Sequence, residues 1–334
     1  MSSAVLPIAA RRHHVVTALA RGLETACGTR DLGPVVLGVS GGVDSTAMLL
    51  ATSVLVERPE WRIQPIPVHV NHHLREDADL DATHASECCR DLGLACQVVD
   101  ARPKGGGEEA RVHRYEALMS VAGTSDASWI LAAHHAEDQL ETIIAALGRG
   151  AGPTGLSGMA QRRPLGDGVE LVRPLLDMTK SDLQSICQVA DVSWRDDPTN
   201  QDPSTLRGRL RRDVLPVLEE LWPGASQRSA MNAPLVREAA EALLREAAEV
   251  FGSETTWSRQ ALRAVNAAIR STGLRQALLA SGLGVDEIDT TRLVEASEAI
   301  GDRSEHARSF EFNTSTAIAI DANTVSITTG TNDG

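Results

Sequence analysis

The feature that most limits the fold of this chain is a short apolar run that passes through a glycine pair into a helical segment. The run covers residues 35–39, the pair is Gly41 and Gly42, and the helical segment covers residues 46–56. Glycine has no Cβ, so the turn can adopt positive φ and bring backbone N–H groups and a helix N-terminus close to an anion. This order of strand, glycine turn and helix predicts a phosphate-binding cradle.

The cradle has an acidic residue where the commoner phosphate loop has a lysine. Asp44 stands there, followed by Ser45. We expect Asp44 to hold Mg²⁺ against nucleotide phosphates. The stretch Ser-Gly-Gly-Val-Asp-Ser resembles the pyrophosphatase loop of enzymes that cleave ATP to AMP and pyrophosphate. A plain strand-turn-helix, in which Asp44 or Ser45 only caps the helix, is the alternative at this point.

Short β-like runs alternate with helical runs as far as residue 133, which predicts a doubly wound, mainly parallel α/β sheet. Ligands of such sheets lie at the carboxyl ends of the strands, where the cradle falls. The predicted strands cover residues 35–39, 66–71, 95–99 and 128–133. The predicted helices cover residues 8–27, 46–56, 77–92, 108–121 and 135–147.

The second half of the chain predicts a smaller, mainly helical domain. Residues 148–168 form a glycine- and arginine-rich segment that we expect to be a functional loop. A helix over 180–189, a turn at 196–200 and a basic helix over 204–221 follow. The break at Trp222-Pro223-Gly224 predicts a boundary between two domains, residues 1–222 and residues 223–334. Helices are predicted over 233–251, near 259–281 and over 290–300, and residues 309–327 alternate as in a terminal β-hairpin.

The composition is that of an ordinary globular protein, with 42% hydrophobic and 23% charged residues among 334. The sequence shows neither a signal pattern nor an apolar run long enough to span a membrane, which predicts a cytoplasmic protein with no membrane partner. Its five cysteines include no C-x-x-C pair, so we expect free thiols rather than disulfides or a metal site. The net charge of −13 opposes nucleic-acid binding overall, which makes the local clustering of arginine important.

A second informative stretch lies just beyond the predicted strand 128–133. On a helix His134, Asp138 and Glu141 would share one face, because they are spaced at i, i+4 and i+7. An imidazole beside two carboxylates can bind metal, hold an ammonium group or shuttle protons. An exposed acidic helix face with a chance histidine is the alternative.

Taken together, the motifs of this chain resemble those of the tRNA(Ile)-lysidine synthases, in particular the short form of the family. The resemblance extends over residues 35–216 in the family's order, and it implies an ATP-pyrophosphatase catalytic domain over residues 1–222 and a tRNA-binding domain over residues 223–334. Beside the cradle and residues 134–142 it rests on Val70-Asn71-His72-His73-Leu74-Arg75, Ala110-Arg111-Val112-His113-Arg114-Tyr115, Arg149-Gly150, Gly155-Leu156, Arg173-Pro174-Leu175-Leu176, Asp197-Pro198-Thr199-Asn200, Arg207-Gly208-Arg209-Leu210-Arg211 and Leu215-Pro216. Asn71, His73 and Gly208 depart from the family, which usually has Asp, Gly and Asn there.

The resemblance implies that ATP adenylates the C2 oxygen of the wobble cytidine of tRNA(Ile) with a CAU anticodon, and that free L-lysine then displaces AMP to give lysidine. It implies pyrophosphate and Mg²⁺ binding by Ser40, Gly41, Gly42, Val43, Asp44 and Ser45, with Asp44 as the metal ligand. It also implies adenine contacts by His69, Val70 and Asn71.

The same resemblance assigns the catalytic groups. Arg111 would face the phosphates, His134 would lie by the α-phosphate, and Arg207 would reach the reacting nucleotide. Asp138 and Glu141 would bind the lysine ammonium. Because that ammonium has a pKa of about 10.4 in water and must lose a proton before it attacks, we further expect Asp138 or Glu141 to accept the proton.

Several arginines predict a tRNA backbone footprint on an otherwise acidic protein. They are Arg162, Arg163, Arg207, Arg209, Arg211 and Arg212. A solvated helix face is the alternative for this cluster.

Other functions stay open at this stage. One is a different adenylating enzyme, a tRNA thiolase or an amide-forming ligase; another is a non-catalytic protein that senses nucleotides or binds tRNA. The oligomeric state, including a homodimer, is also open.

Overall fold

The computed structural model describes residues 6–74, 77–105, 107–195, 204–304 and 306–330. Arg75 and the predicted turn at 196–200 lie outside these described residues. The chain divides into two compact units, of which the first comprises residues 1–145 and 158–232 and the second comprises residues 146–157 and 233–334. The assignment of a catalytic and a tRNA-binding domain to 1–222 and 223–334 stays a prediction.

The first unit contains a six-stranded sheet with strand order β3-β2-β1-β4-β6-β5. Its strands are β1 (Asp31–Gly38), β2 (Arg62–Asn71), β3 (Gln97–Asp100), β4 (Trp129–Leu131), β5 (Arg162–Gly166) and β6 (Val169–Val172). All neighbouring strands are parallel except β5 and β6. This confirms the predicted mainly parallel sheet. The strand order reverses between β1 and β4, and ligands of open α/β sheets bind beyond the carboxyl ends of the strands at such a reversal.

Helices cover both faces of this sheet. Val35 and Leu37 of β1 pack into one core with helices α2, α3 and α8, while Val36 packs into the opposite core with α5. The helices of this unit are α1 (Ile8–Arg11), α2 (His14–Cys27), α3 (Val43–Val56), α4 (Ala78–Asp91), α5 (Glu108–Thr124), α6 (Ala136–Gly148), α8 (Lys180–Val189), α9 (Leu206–Arg209) and α10 (Leu215–Leu221). The helix α7 (Pro153–Leu156) belongs to the second unit, and α11 (Ala225–Phe251) begins in the first unit and continues in the second. The helix predicted over 8–27 is therefore two helices, and the His13 side chain caps the second.

The predicted loop at 148–168 is more ordered than expected. It contains α7 and β5, and β5 pairs antiparallel with β6 at the edge of the sheet. The sequence concealed β5 because its strand has two arginines, a proline and a glycine rather than an apolar run. Pro164 is tolerated because an edge strand can leave one side of its backbone unpaired.

The basic helix predicted over 204–221 is interrupted. Between α9 and α10 the residues Leu210–Val214 form a π turn, in which the Leu215 N–H donates to the Leu210 carbonyl. Pro216 follows directly and has no N–H to continue a regular α-helical ladder. The interruption changes which way the arginines of this segment point.

The second unit has its own four-stranded antiparallel sheet in the order β7-β10-β9-β8. Its further elements are β7 (Thr256–Ser258), α12 (Arg259–Arg263), α13 (Ala267–Ala280), α14 (Thr290–Gly301), β8 (Arg308–Glu311), β9 (Thr316–Ile320) and β10 (Thr324–Thr329). Phe251 and Trp257 pack with Ile318 and Val325 in its core. The terminal hairpin predicted from the alternation is thus part of a larger sheet. Within the described ranges, no helix combines the length and the apolar character that crossing a membrane requires.

Candidate active site

The glycine turn after β1 forms an open cradle at the start of α3. Gly41 has φ 85°, a left-handed conformation that a residue without Cβ adopts at low cost. The Ser40 N–H donates to Ser45 Oγ at 3.1 Å, and that hydroxyl donates to the Gly42 carbonyl at 3.1 Å. These bonds hold the loop so that the N-terminus of α3 points toward the space beyond the sheet, where an anion is stabilised.

Asp44 lies in the first turn of α3 with one oxygen unused. Its Oδ1 is buried and has no hydrogen-bond partner among the described residues, while Oδ2 lies 3.6 Å from His135 Nε2. An unsatisfied buried carboxylate oxygen is costly, and a hard cation is a suitable partner for it. The residues therefore fit the predicted Mg²⁺, for which one or two carboxylates and substrate phosphates commonly suffice.

Several other buried polar atoms without a partner in the described part of the chain lie just beyond the carboxyl ends of parallel strands, and the remaining ones belong to Thr46, Ser226, Arg259 and Arg270. Both ring nitrogens of His72 follow β2, Nδ1 of His134 follows β4, and Nε of Arg173 follows β6. Leaving such an atom unpaired costs about 1–3 kcal/mol. Their concentration at one edge of the sheet indicates a polar ligand site.

His135 connects the cradle to helix α6. Its Nδ1 lies 2.8 Å from Glu137 Oε2, and its Nε2 lies 3.5 Å from Asp138 Oδ2 and within reach of Asp44. Burial lowers the pKa of His135, but Asp138, Asp44 and Glu137 outweigh burial and hold that pKa well above its ordinary value. His135 is therefore a buried imidazolium. We call Asp44, Glu137, Asp138 and Glu141 the carboxylate cluster.

Asp138 and Glu141 lie on one face of α6, and both are bound by Arg211. Arg211 Nη2 donates to Asp138 Oδ1 at 2.5 Å, and Arg211 Nε donates to Glu141 Oε1. Burial raises the pKa of Glu141, whose side chain is only 2% exposed. Burial also acts to raise the pKa of Asp138, but the charges of His135 and Arg211 lower it to about 2.

His134 lies in the link between β4 and α6, since α6 begins at Ala136. The predicted three-residue helix face is thus a pair, Asp138 and Glu141, with His134 contributed by the strand end. Burial lowers the pKa of His134 to about 3, with Asp138 opposing and the nearby arginines assisting. Its ring is a neutral hydrogen-bonding group beside the charged His135.

Four arginines surround Tyr115 and define what we call the arginine cluster: Arg111, Arg114, Arg163 and Arg173. The guanidinium carbons of Arg111 and Arg163 lie 5.7 and 5.4 Å from the centre of the Tyr115 ring. Burial, with the charges of neighbouring arginines, lowers the pKa of Arg114 and Arg173. Crowded guanidinium groups of this kind favour binding of an anion such as phosphate.

The predicted adenine-side residues lie at the end of β2. His69 Nδ1 donates to the Val39 carbonyl at 2.9 Å, and the Asn71 amide donates to Asp79 at 2.9 Å. His73 has φ 51°, and its N–H donates to the Asn71 side chain, which explains how a residue other than glycine holds this turn. With Asn71 thus engaged and Val70 half-buried, the backbone here is more available to a base than the side chains.

The predicted RNA-facing arginines do not form one surface, and Arg163 belongs to the arginine cluster. Arg207 and Arg209 are exposed on α9, and Arg207 is close enough to lower the pKa of Arg114. Arg211 instead points at the carboxylate pair because the π turn carries it there. Arg162 is paired with Glu170, and Arg212 with Asp213.

Several groups in this site have no role in the sequence-based prediction. They are His135, Glu137, Tyr115 and Arg173. A signal existed for Arg173, since an arginine directly after an apolar strand falls at the ligand-binding edge.

Comparison with known proteins assigns the family. A family model described as the PP-loop domain matches residues 15–218. A tRNA(Ile)-lysidine synthase from Salinispora arenicola is 39% identical over 228 residues, covering 66% of this chain and 68% of that protein. The chain belongs to the tRNA(Ile)-lysidine synthase family. Its cradle is the PP-loop of this family, which confirms the resemblance seen in the motifs.

Other lysidine synthases match over a smaller share of their length. The protein from Xanthomonas campestris pv. campestris strain 8004 is 39% identical over 213 residues, covering 63% of this chain and 48% of that protein. The chain thus spans about half the length of this relative.

A solved structure shares the fold at low sequence identity. The U34-tRNA thiolase NcsA from Methanococcus maripaludis matches with a TM-score of 0.55 at 16% identity, covering 67% of this chain and 79% of that chain. The two proteins therefore share a fold, and this likeness gives no information about the chemistry of the chain.

Proposed function

We propose that the protein ligates free lysine to C2 of the wobble cytidine of tRNA(Ile) with a CAU anticodon, converting ATP to AMP and pyrophosphate. One observation carries the proposal beyond family membership. A buried carboxylate pair that binds the charged end of a long side chain lies next to the PP-loop, joined to Asp44 through His135. Adenylation and capture of a cationic amine require such neighbouring sites.

In the first step the cytidine oxygen attacks the α-phosphorus and pyrophosphate leaves. The cradle N–H groups hold the departing phosphates, and Arg111, Arg163 and Arg173 stabilise the charge that spreads over the phosphoryl oxygens. Asp44 would hold Mg²⁺, which supplies further charge neutralisation there. His134, being neutral, would donate a hydrogen bond rather than a charge.

In the second step the lysine amine attacks C2 and AMP leaves. The ammonium first binds between Asp138 and Glu141 and must then lose a proton before it is nucleophilic. We assign proton acceptance to Glu141, because its pKa is raised by burial, whereas the pKa of Asp138 is lowered to about 2. Asp138 then keeps its charge and anchors the substrate.

We assign the cytoplasm as the location from the tRNA substrate, and we place the RNA contacts on Arg207 and Arg209, which are exposed beside the arginine cluster. A homodimer is not needed for this scheme, since the groups named lie in one compact unit.

The test is to incubate the protein with ATP, radiolabelled lysine and a tRNA(Ile) transcript, and to measure label in the RNA. We expect label only with ATP and the CAU anticodon, together with AMP and pyrophosphate. Formation of ADP, or incorporation of labelled sulfide instead of lysine, would contradict the proposal and favour another adenylating or phosphorylating activity.

A further inference from the structure

Arg211 occupies the carboxylate pair to which the proposed function assigns the lysine ammonium. Its Nη2 and Nε donate to Asp138 and Glu141. The guanidinium uses one oxygen of each carboxylate, and its charge competes there with that of an incoming ammonium. We propose that Arg211 competes with lysine for this site and that bound tRNA draws the Arg211 side chain out of it. This proposal rests on the proposed function.

The exposure of the three side chains indicates that Arg211 can be replaced by another cation rather than being a fixed structural partner of the carboxylates. Glu141 is 2% exposed and Asp138 16%, whereas Arg211 is 29% exposed. The carboxylates are thus fixed in the interior, and the guanidinium reaches them from the surface side. A ligand that attracts the guanidinium outward has access to it.

The backbone that carries Arg211 supplies a means of movement. Arg211 lies in the π turn Leu210–Val214, which widens one turn between α9 and α10. Such turns are rare and are frequent at functional sites. If this turn became α-helical, residues on one side of it would rotate by about 100° around the helix axis, which would carry Arg211 away from the pair.

Charge balance links this movement to both substrates. Withdrawal of Arg211 leaves Glu141 without its cation and Asp138 with only His135, which is costly unless another cation enters. A lysine ammonium restores the balance, and a phosphodiester near Arg207 and Arg209 gives the displaced guanidinium a new partner. Lysine and tRNA should therefore bind cooperatively, each raising the affinity for the other by the same factor.

The experiment measures binding of labelled lysine by equilibrium dialysis, with and without a tRNA(Ile) transcript. Without RNA, we expect Arg211→Gln to bind lysine about tenfold more tightly than wild type, because the site is no longer occupied in most molecules. RNA should tighten lysine binding to wild type by about the same factor and to the variant hardly at all. The control Arg30→Gln, which removes an exposed arginine paired with Glu24, should behave as wild type. The proposal would be overturned if Arg211→Gln bound lysine no more tightly than wild type does.

A second measurement needs no variant and applies if Arg211→Gln does not fold. Saturating lysine should raise the affinity of the wild-type protein for the transcript about tenfold, and equal affinities with and without lysine would overturn the role of Arg211. Transfer of labelled lysine to RNA is measured in parallel on wild type. Absence of transfer counts against the proposed function, whereas transfer without coupling counts only against the role of Arg211.

Discussion

The arginine cluster and the carboxylate cluster belong to the same unit but differ in how their charge is balanced. Around Tyr115 four guanidinium groups crowd together, and Arg173 keeps a buried nitrogen without a partner among the described residues. Around His135 the four carboxylates are only partly balanced by an imidazolium and by Arg211, and Arg211 occupies the pair Asp138 and Glu141. The first cluster is ready to receive an anion directly, whereas an ammonium that binds between Asp138 and Glu141 must replace Arg211.

The largest expected effect is that of Asp44→Asn, which removes a charge from the carboxylate cluster at its contact with the cradle. Pyrophosphate release should fall about 10²–10³-fold, the effect of losing one preorganised electrostatic group. The measurement is pyrophosphate release with ATP and transcript. Asp31→Asn, which changes an exposed aspartate paired with Arg62, should keep the wild-type rate. A fast Asp44→Asn enzyme would show that the cradle works without this carboxylate.

Glu141→Gln should separate the two chemical steps. Because Glu141 is the proposed proton acceptor, we expect lysine transfer to fall about 10²-fold while pyrophosphate release persists. Asp138→Asn should chiefly raise the KM for lysine, since a carboxyl with a pKa of about 2 is a poor base. Single-turnover assays of each step give the answer, and identical defects in both variants would contradict the division of roles.

The arginine cluster should make the protein sensitive to polyanions. Tripolyphosphate at 100 times its Kd should stabilise the wild-type fold by about 2.7 kcal/mol, the value that mass action requires. Arg111→Gln and Arg163→Gln should need higher tripolyphosphate concentrations for the same shift in Tm. Thermal unfolding with and without tripolyphosphate is the measurement, with Arg30→Gln as the matched control. Equal shifts in all four proteins would place the anion elsewhere.

The smallest expected effect distinguishes the two adjacent histidines by pH. The folded-state pKa of His134 is lowered to about 3, so the unfolded chain binds its proton first and the folded state loses stability as pH falls below about 6.5. Between pH 6.5 and 5 this loss is about 1–2 kcal/mol. His134→Gln should remove that loss in denaturant titrations.

The contribution of His135 to stability should depend on pH in the opposite direction, which His135→Gln tests. The folded-state pKa of His135 is raised, so its contribution to stability is present below about pH 6.5 and is lost as pH rises through the folded pKa. The stability difference between wild type and His135→Gln should therefore shrink at alkaline pH. A difference that grows at alkaline pH would mean that His135 is neutral in the fold.

The sequence predicted the central sheet well because its strands are apolar runs separated by amphipathic helices. The strands β5 and β6 were not predicted, β5 because two arginines and Pro164 give it no apolar run and β6 because it has only four residues. The cradle and the pair Asp138 and Glu141 were found from local spacing. Arg211, the partner of that pair, was not predicted because it is distant in sequence and because the direction of its side chain depends on a π turn that no local pattern signals. Likewise, only the folded surroundings make His134 neutral and His135 charged.

Tyr115 is the single tyrosine of the chain. Because it lies beneath the guanidinium groups of Arg111 and Arg163, any ligand that moves those groups changes the environment of one phenol ring. Biosynthetic incorporation of fluorotyrosine would thus give one ¹⁹F resonance from this site, and its chemical shift would report the arrival of nucleotide and RNA in real time.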